Sequence, residues 1–141
     1  MAQIAPTAAD VRPLEGAIMR KASAGEALTV GDAVYVSGAS GNIPAVSKAV
    51  GTAVATANIM GVVVAGAPEK NGSTSIASGD VVDVVVFGPV AGFSGTAGGF
   101  VWVSDTAGQI ADAVGTKSTI AGFMETAATL FVRPMQAVRS A

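Results

Sequence analysis

Residues Asp80–Pro89 read DVVDVVVFGP. Successive side chains of an extended chain point to opposite sides, so this run is apolar on both faces except at Asp80 and Asp83. A strand of that kind must be covered twice, by the rest of its own barrel together with an arm, or by a neighbouring subunit. It does not read as a membrane span. The densest apolar part of the chain is broken by Asp83 and by Gly88–Pro89, well short of the ~18 to 20 apolar residues a spanning helix needs. Pro89 has no N–H to give to a ladder and is expected to end its strand, as is Pro134 in TLFVRP (Thr129–Pro134).

The stretch belongs to a phrase that the chain writes twice. VYVSGASGNI (Val34–Ile43) returns as VWVSDTAGQI (Val101–Ile110), IMGVVV (Ile59–Val64) as IAGFME (Ile120–Glu125), and VVVFGP (Val84–Pro89) as TLFVRP. Each copy runs in the same order: strand, Gly-rich turn, Ile, variable connection, Ile-x-Gly strand, then a strand reaching x-Pro. Val34 and Val36, like Val101 and Val103, alternate with a single aromatic, Tyr35 or Trp102. That pattern suits a half-buried pleated surface. GASGN and DTAGQ supply residues that tolerate positive φ in hairpin turns.

Two such units side by side would close on themselves and remove exposed edges. The expected fold is therefore all-β, a small closed or partly closed β-barrel built from a duplicated β-unit. At most one short helix is expected, within Pro44–Ala57, where Pro44 suits a first turn and Val46, Val50 and Val54 recur four apart. Gly51 and the Val/Thr content weigh against it. Pro68–Gly79 reads as an exposed loop. Residues 1–17 hold Pro6 and Pro13 and isolated apolar Ile4, Val11 and Leu14 with no period. They read as an extended arm outside the core, leaving 18–141 as the barrel domain.

Composition narrows the chemistry. With 141 residues the chain suits one domain, able to bury ~68% of the surface its unfolded form exposes. It contains neither cysteine nor histidine, which removes disulfides, thiolate and imidazole metal ligands and the commonest general base. Ten acidic and eight basic residues leave a net charge of -2, too balanced to steer the chain to nucleic acid or an anionic membrane. Only 13% of residues are charged, against about 25% in ordinary domains. The surface must then be rich in small residues or be covered by a partner. MAQIAPTAAD at the start lacks the basic and apolar blocks of a secretory signal, so synthesis in a cytoplasm without export by the general route is expected.

Catalytic templates fail on residue type. A serine nucleophile would have only Lys21, Lys48, Lys70 or Lys117 as a base, all expected in polar or loop contexts, and GFSGTAG around Ser94 lacks the nucleophile-elbow spacing. Asp80 and Asp83 fall on opposite faces of a strand. Asp105 and Asp112 lack the alternating ligands of a calcium loop. The glycines of GASG and GTAGG open no phosphate-binding helix. Asn71-Gly72-Ser73 reads as a turn, and Trp102 as packing. The expectation is no enzyme, no metal and no cofactor; a small enzyme or ligand-binding barrel using Asp80, Asp83, Asp105 or Trp102 is the alternative of another class.

SGDVVDVVVFGPV (Ser78–Val90), GGFVWVSDTAGQI (Gly98–Ile110) and IAGFMETAATLFVRP (Ile120–Pro134) together resemble the small β-barrel head decoration, or cement, proteins of tailed bacteriophages. The likeness covers roughly Gly25 to Pro134 and departs from the family pattern in the longer arm and in Pro44–Ala57. It implies a virion structural protein on the outer surface of the capsid, made in the bacterial host cytoplasm, that stabilises contacts between capsomers. The implied partners are the major capsid protein and neighbouring cement subunits, in a homo-oligomer with a trimer favoured over a dimer. A tail, spike or adhesin module is the other structural reading. Contact with shell or neighbour is expected from the arm, at Ile4, Pro6, Val11, Arg12, Pro13 and Leu14, and from Phe87 and Phe93. The prolines would stiffen an arm that orders only on binding.

Overall fold

The DVVDVVVFGP run lies inside the longest strand of the protein, Val81–Ala91. A computed structural model describes residues 3–65 and 74–135. In chain order the strands are β1 (Arg12–Pro13), β2 (Ile18–Ala24), β3 (Leu28–Thr29), β4 (Ala33–Ser40), β5 (Ile43–Lys48), β6 (Ile59–Ala65), β7 (Ser75–Ile76), β8 (Val81–Ala91), β9 (Phe100–Val103), β10 (Ile110–Ala111), β11 (Ile120–Met124) and β12 (Thr129–Met135). Among the described residues, helix is confined to α1 (Val54–Ala57) and a 3-10 turn at Ala8–Asp10. The fold is all-β.

β8 serves two sheets. Its first half pairs with β2 on one edge and β6 on the other; its second half pairs with β1 and β12. The first set of pairings runs β8-β2-β5-β4-β6 and returns to β8, while the second runs from β8 through β12, β11 and β9 to β10. All these pairs are antiparallel except β2 with β5. The unbroken valine run follows from this position. Val82, Val84, Val85 and Val90 are fully buried in one core cluster that also holds Val34, Val46, Val101 and Leu130. Burial of each such side chain is worth ~1.5 to 3 kcal/mol.

The written repeat is also a repeat of pairing. β5-β4-β6-β8 and β10-β9-β11-β12 have the same order and directions. Val34 stands opposite Gly61 and Tyr35 opposite Ile59, with a bulge between; Val101 stands opposite Gly122 and Trp102 opposite Ile120, with a bulge at the same place. Gly41 and Gly108, equivalent in the two phrases, both have positive φ, 65° and 76°. One detail of the alignment is corrected. Val63 pairs with Val84 and its equivalent Met124 with Leu130, so β8 and β12 correspond one position away from the register in which Pro89 matches Pro134.

Neither proline ends its strand. Pro89 lies where β8 changes partners: β2 reaches Phe87 and β1 starts at Val90, β6 reaches Val85 and β12 starts at Gly88. A missing N–H is tolerated at such a break, and the Pro89 carbonyl still accepts the Leu14 N–H at 2.9 Å. Gly88 has φ 120°, and a Cβ there would lie 2.6 Å from the Ala17 Cα. Pro134 lies in the irregular part of the β11–β12 ladder, beyond its contact with β8.

The N-terminal segment is not an arm outside the core. Gln3 bridges Ala111, the Ile4 N–H donates to the Ile110 carbonyl at 2.8 Å, the Thr7 N–H donates to Gly92, and β1 pairs with β8. Residues 3–13 thus run from the free edge of β10 to the free edge of β8, covering both ends of the second sheet. Ile4 and Val11 are buried in the core cluster. The segment lacks a period because it crosses the sheet rather than lying along it.

Two local expectations are also revised. Pro44–Lys48 is strand, because Val46 is needed in the core between β4 and β2, and only Val54–Ala57 is helical. Within Pro68–Gly79, Ser75–Ile76 pairs with β3 and buries Ile76, while residues 68–73, including Lys70 and the Asn71-Gly72-Ser73 turn, lie outside the described residues. Lys21 and Lys48 stand on strands, not loops.

Candidate partner-binding surface

The aromatic residues of the second unit meet on one surface. Phe123 on β11 stands opposite Phe131 on β12 and opposite Phe100 on β9. The Phe123 and Phe131 rings stack at 5.1 Å, Phe87 meets Phe131 edge-on at 5.2 Å, and Phe100 meets Trp102 edge-on at 6.0 Å. The Arg133 guanidinium lies 5.9 Å from the Phe123 ring centre. Phe100 is 55% exposed and Phe87 42%, and Ile18, opposite Phe87 on β2, is 54% exposed. The result is a row of rings across four strands, half-buried at Trp102, Phe123 and Phe131 and exposed to solvent at Phe87 and Phe100. Aromatics with exposed faces are typical of binding surfaces, since each offers a large contact area with few rotors to freeze.

Of the residues expected to meet a partner, Phe87 alone joins this row. Ile4, Val11 and Phe93 are buried within the chain. Pro6, Pro13 and Leu14 are half-buried, with Pro6 packed over Gly31, and Arg12 is exposed beside β8. The N-terminal segment spends its apolar residues on its own core. Phe100, Phe123, Phe131 and Arg133 carry no motif. Their signal is positional: every aromatic except Tyr35 falls between Phe87 and Phe131.

Asp80, Asp83 and Asp105 have structural roles. Asp83 pairs with Lys21 at 2.7 Å, and the Asp80 carboxylate accepts the Ala77 N–H at 3.2 Å. Asp105 accepts the Thr116 hydroxyl at 2.6 Å and its N–H at 2.9 Å, closing the loop that follows the second hairpin. Among the described residues, no three acidic side chains gather as a metal site, and no buried side-chain nitrogen or oxygen lacks a partner. No helix there is long and apolar enough to cross a membrane.

Two carboxyls are displaced in opposite directions. The paired bonds from Thr116 hold Asp105 below the ordinary carboxylate range, whereas burial raises Asp32 against the bond from Thr29 and the charge of Lys48. A depressed acid contributes stability above its unfolded pKa that is lost as pH falls through the folded one; a raised acid has the opposite effect, so stability rises as pH falls through its folded pKa. Carboxyl-carbon NMR titration is expected to put Asp105 below and Asp32 above the ordinary value. Thr116→Val should move only Asp105, upward. An unmoved Asp105 would show that Thr116 does not set it.

No protein-family model matches the chain, and no curated protein shows significant similarity to it.

Proposed function

We propose that the chain is a non-enzymatic virion protein that decorates the outside of a bacteriophage capsid and cements neighbouring capsomers. The observation that supports this best is the partly exposed aromatic row from Phe87 to Trp102, which offers a broad apolar sheet face. A flat surface of this kind suits another protein better than a small molecule, because small ligands are held in concave sites. The likeness of the three phrases to cement proteins points the same way. The low charge of the chain agrees with a surface partly covered in the assembled particle.

On this reading the two sets of pairings are small barrels made from a duplicated unit that share β8, and the major capsid protein is the partner. Closure suits an adhesive subunit, since a chain with few open edges does not polymerise by strand exchange. Each contact can be modest, ~1,000 Å², because repetition over a lattice multiplies it. The subunit is made in the bacterial host cytoplasm and acts on the outer surface of the head.

The test is to add the purified chain to expanded shells of its own virus that lack it. Saturable binding is expected, and Phe100→Ser should weaken it by about tenfold or more, as loss of an interface aromatic does, without lowering the melting temperature. Shells that take up no wild-type chain would end this reading. Electron microscopy that located the chain in a tail or spike would replace it with that structural role.

A further inference from the structure

We infer that the aromatic row takes a part of its partner that presents a carboxylate among apolar side chains, and that Arg133 receives that carboxylate. On the shell reading above, on which this rests, the carboxylate belongs to the major capsid protein. The four strands that carry the row, β8, β9, β11 and β12, hold a single acidic residue, Asp83, and Lys21 already pairs with it at 2.7 Å. Their single cation is Arg133, which is exposed. Its guanidinium lies 5.9 Å from the centre of the Phe123 ring, and Phe123 stacks on Phe131 at 5.1 Å. A second arginine stands on the same face. Arg12 is opposite Ala91 and Ala91 is opposite Thr129, two positions from Phe131 and so on its side of the sheet. Neither arginine makes an ion pair with any described residue.

Charge and geometry select the occupant together. A guanidinium is less strongly hydrated than an ammonium, and its planar fork matches a carboxylate with two parallel hydrogen bonds. A partner that covers the row strips water from Arg133, and a charge covered without a counterpart is costly. The covering surface must therefore bring an anion to Arg133, since the four strands have no free acid of their own. Phe87 and Phe100, 42% and 55% exposed, call for apolar side chains beside it. Nucleic acid fits this face less well. Phe123 and Phe131, at the centre of the row, stack on each other rather than leaving their faces to bases, and no second cation on these strands follows a phosphate backbone.

Expanded shells of the virus that lack the chain are the probe, with Arg133→Gln, Arg133→Lys and Phe100→Ser compared with the wild type. Arg133→Gln keeps a long polar side chain without the charge. It should bind about tenfold or more weakly, as loss of a hydrogen bond to a charged group does, with an unchanged melting temperature. Arg133→Lys keeps the charge but not the fork and should fall between the two. Raising the salt from about 0.05 to about 0.5 M should weaken the wild type more than Arg133→Gln, because screening acts on an ion pair that the variant lacks. If Phe100→Ser weakens binding while Arg133→Gln binds like the wild type, or loses as much affinity to salt, the role of Arg133 is overturned and the shell reading stands. Shells that take up no wild-type chain overturn both. Binding of a fluorescent single-stranded oligonucleotide that Phe100→Ser abolishes would give the row to nucleic acid instead.

Discussion

Replacing Gly122 with alanine is expected to cost ~3 kcal/mol or more, which lowers the melting temperature by roughly 10 °C in a chain of this size. A Cβ at Gly122 would overlap the carbonyl oxygen of Phe131, and one at the equivalent Gly61 would overlap that of Val85. Both oxygens belong to the backbone of the next strand, which is itself paired, so neither can withdraw without breaking a ladder. Each glycine sits at the bulge where its strand passes the aromatic of the first phrase. Gly61→Ala should therefore behave like Gly122→Ala. Gly38→Ala is the control: it lies in a strand with nothing within 4 Å of the added carbon, and it should leave the melting temperature almost unchanged. Equal behaviour of all three variants in a thermal melt would show that backbone crowding at the bulges is not what requires glycine.

Ile4→Ala is the second large effect. Ile4 is 4% exposed and its side chain closes over the second sheet beside Met124 and Gly95. Truncating a buried isoleucine costs ~2 to 5 kcal/mol, the transfer of the lost carbons plus the cavity left behind. Removing residues 1–13 altogether should cost more, because it also takes Val11 from the core and uncovers the edges of β10 and of the second half of β8. Two uncovered edges invite pairing between chains, so light scattering of the truncated chain should rise at concentrations where the intact chain stays clear. The alternative, an arm ordered only on a partner, expects Ile4→Ala to leave the free protein's melting temperature untouched. That outcome would overturn the placement of this segment in the core.

Much of the fold was legible from alternation and repetition. Val34-Tyr-Val and Val101-Trp-Val carry the period of a strand, and the Ile-x-Gly phrases mark the bulges because only glycine lets a strand pass a neighbouring carbonyl so closely. The misreadings share a cause. Pro89 and Pro134 looked like strand ends because a single strand does not reveal that its neighbours change at that point. Residues 3–13 looked like a loose arm because a segment that crosses a sheet buries single residues at irregular intervals and shows no period. Pro44–Ala57 carried valines four apart at Val46, Val50 and Val54, but Val46 is held between β4 and β2, which helical spacing cannot express.

The candidate surface was the least legible part. Phe87, Phe100, Phe123 and Phe131 are spread over 45 positions of the chain, with no spacing that links them. They become neighbours only through the registers of β8, β9, β11 and β12. By itself the sequence determined that the chain is β-structured, that it writes one unit twice, and that it has no histidine or cysteine chemistry, since these follow from local alternation and residue type. Only the tertiary structure decided that the N-terminal segment belongs to the core, that β8 serves both units, and which rings face solvent together. Those facts depend on pairing between distant strands, and a one-residue change of register would turn every one of those side chains to the other face.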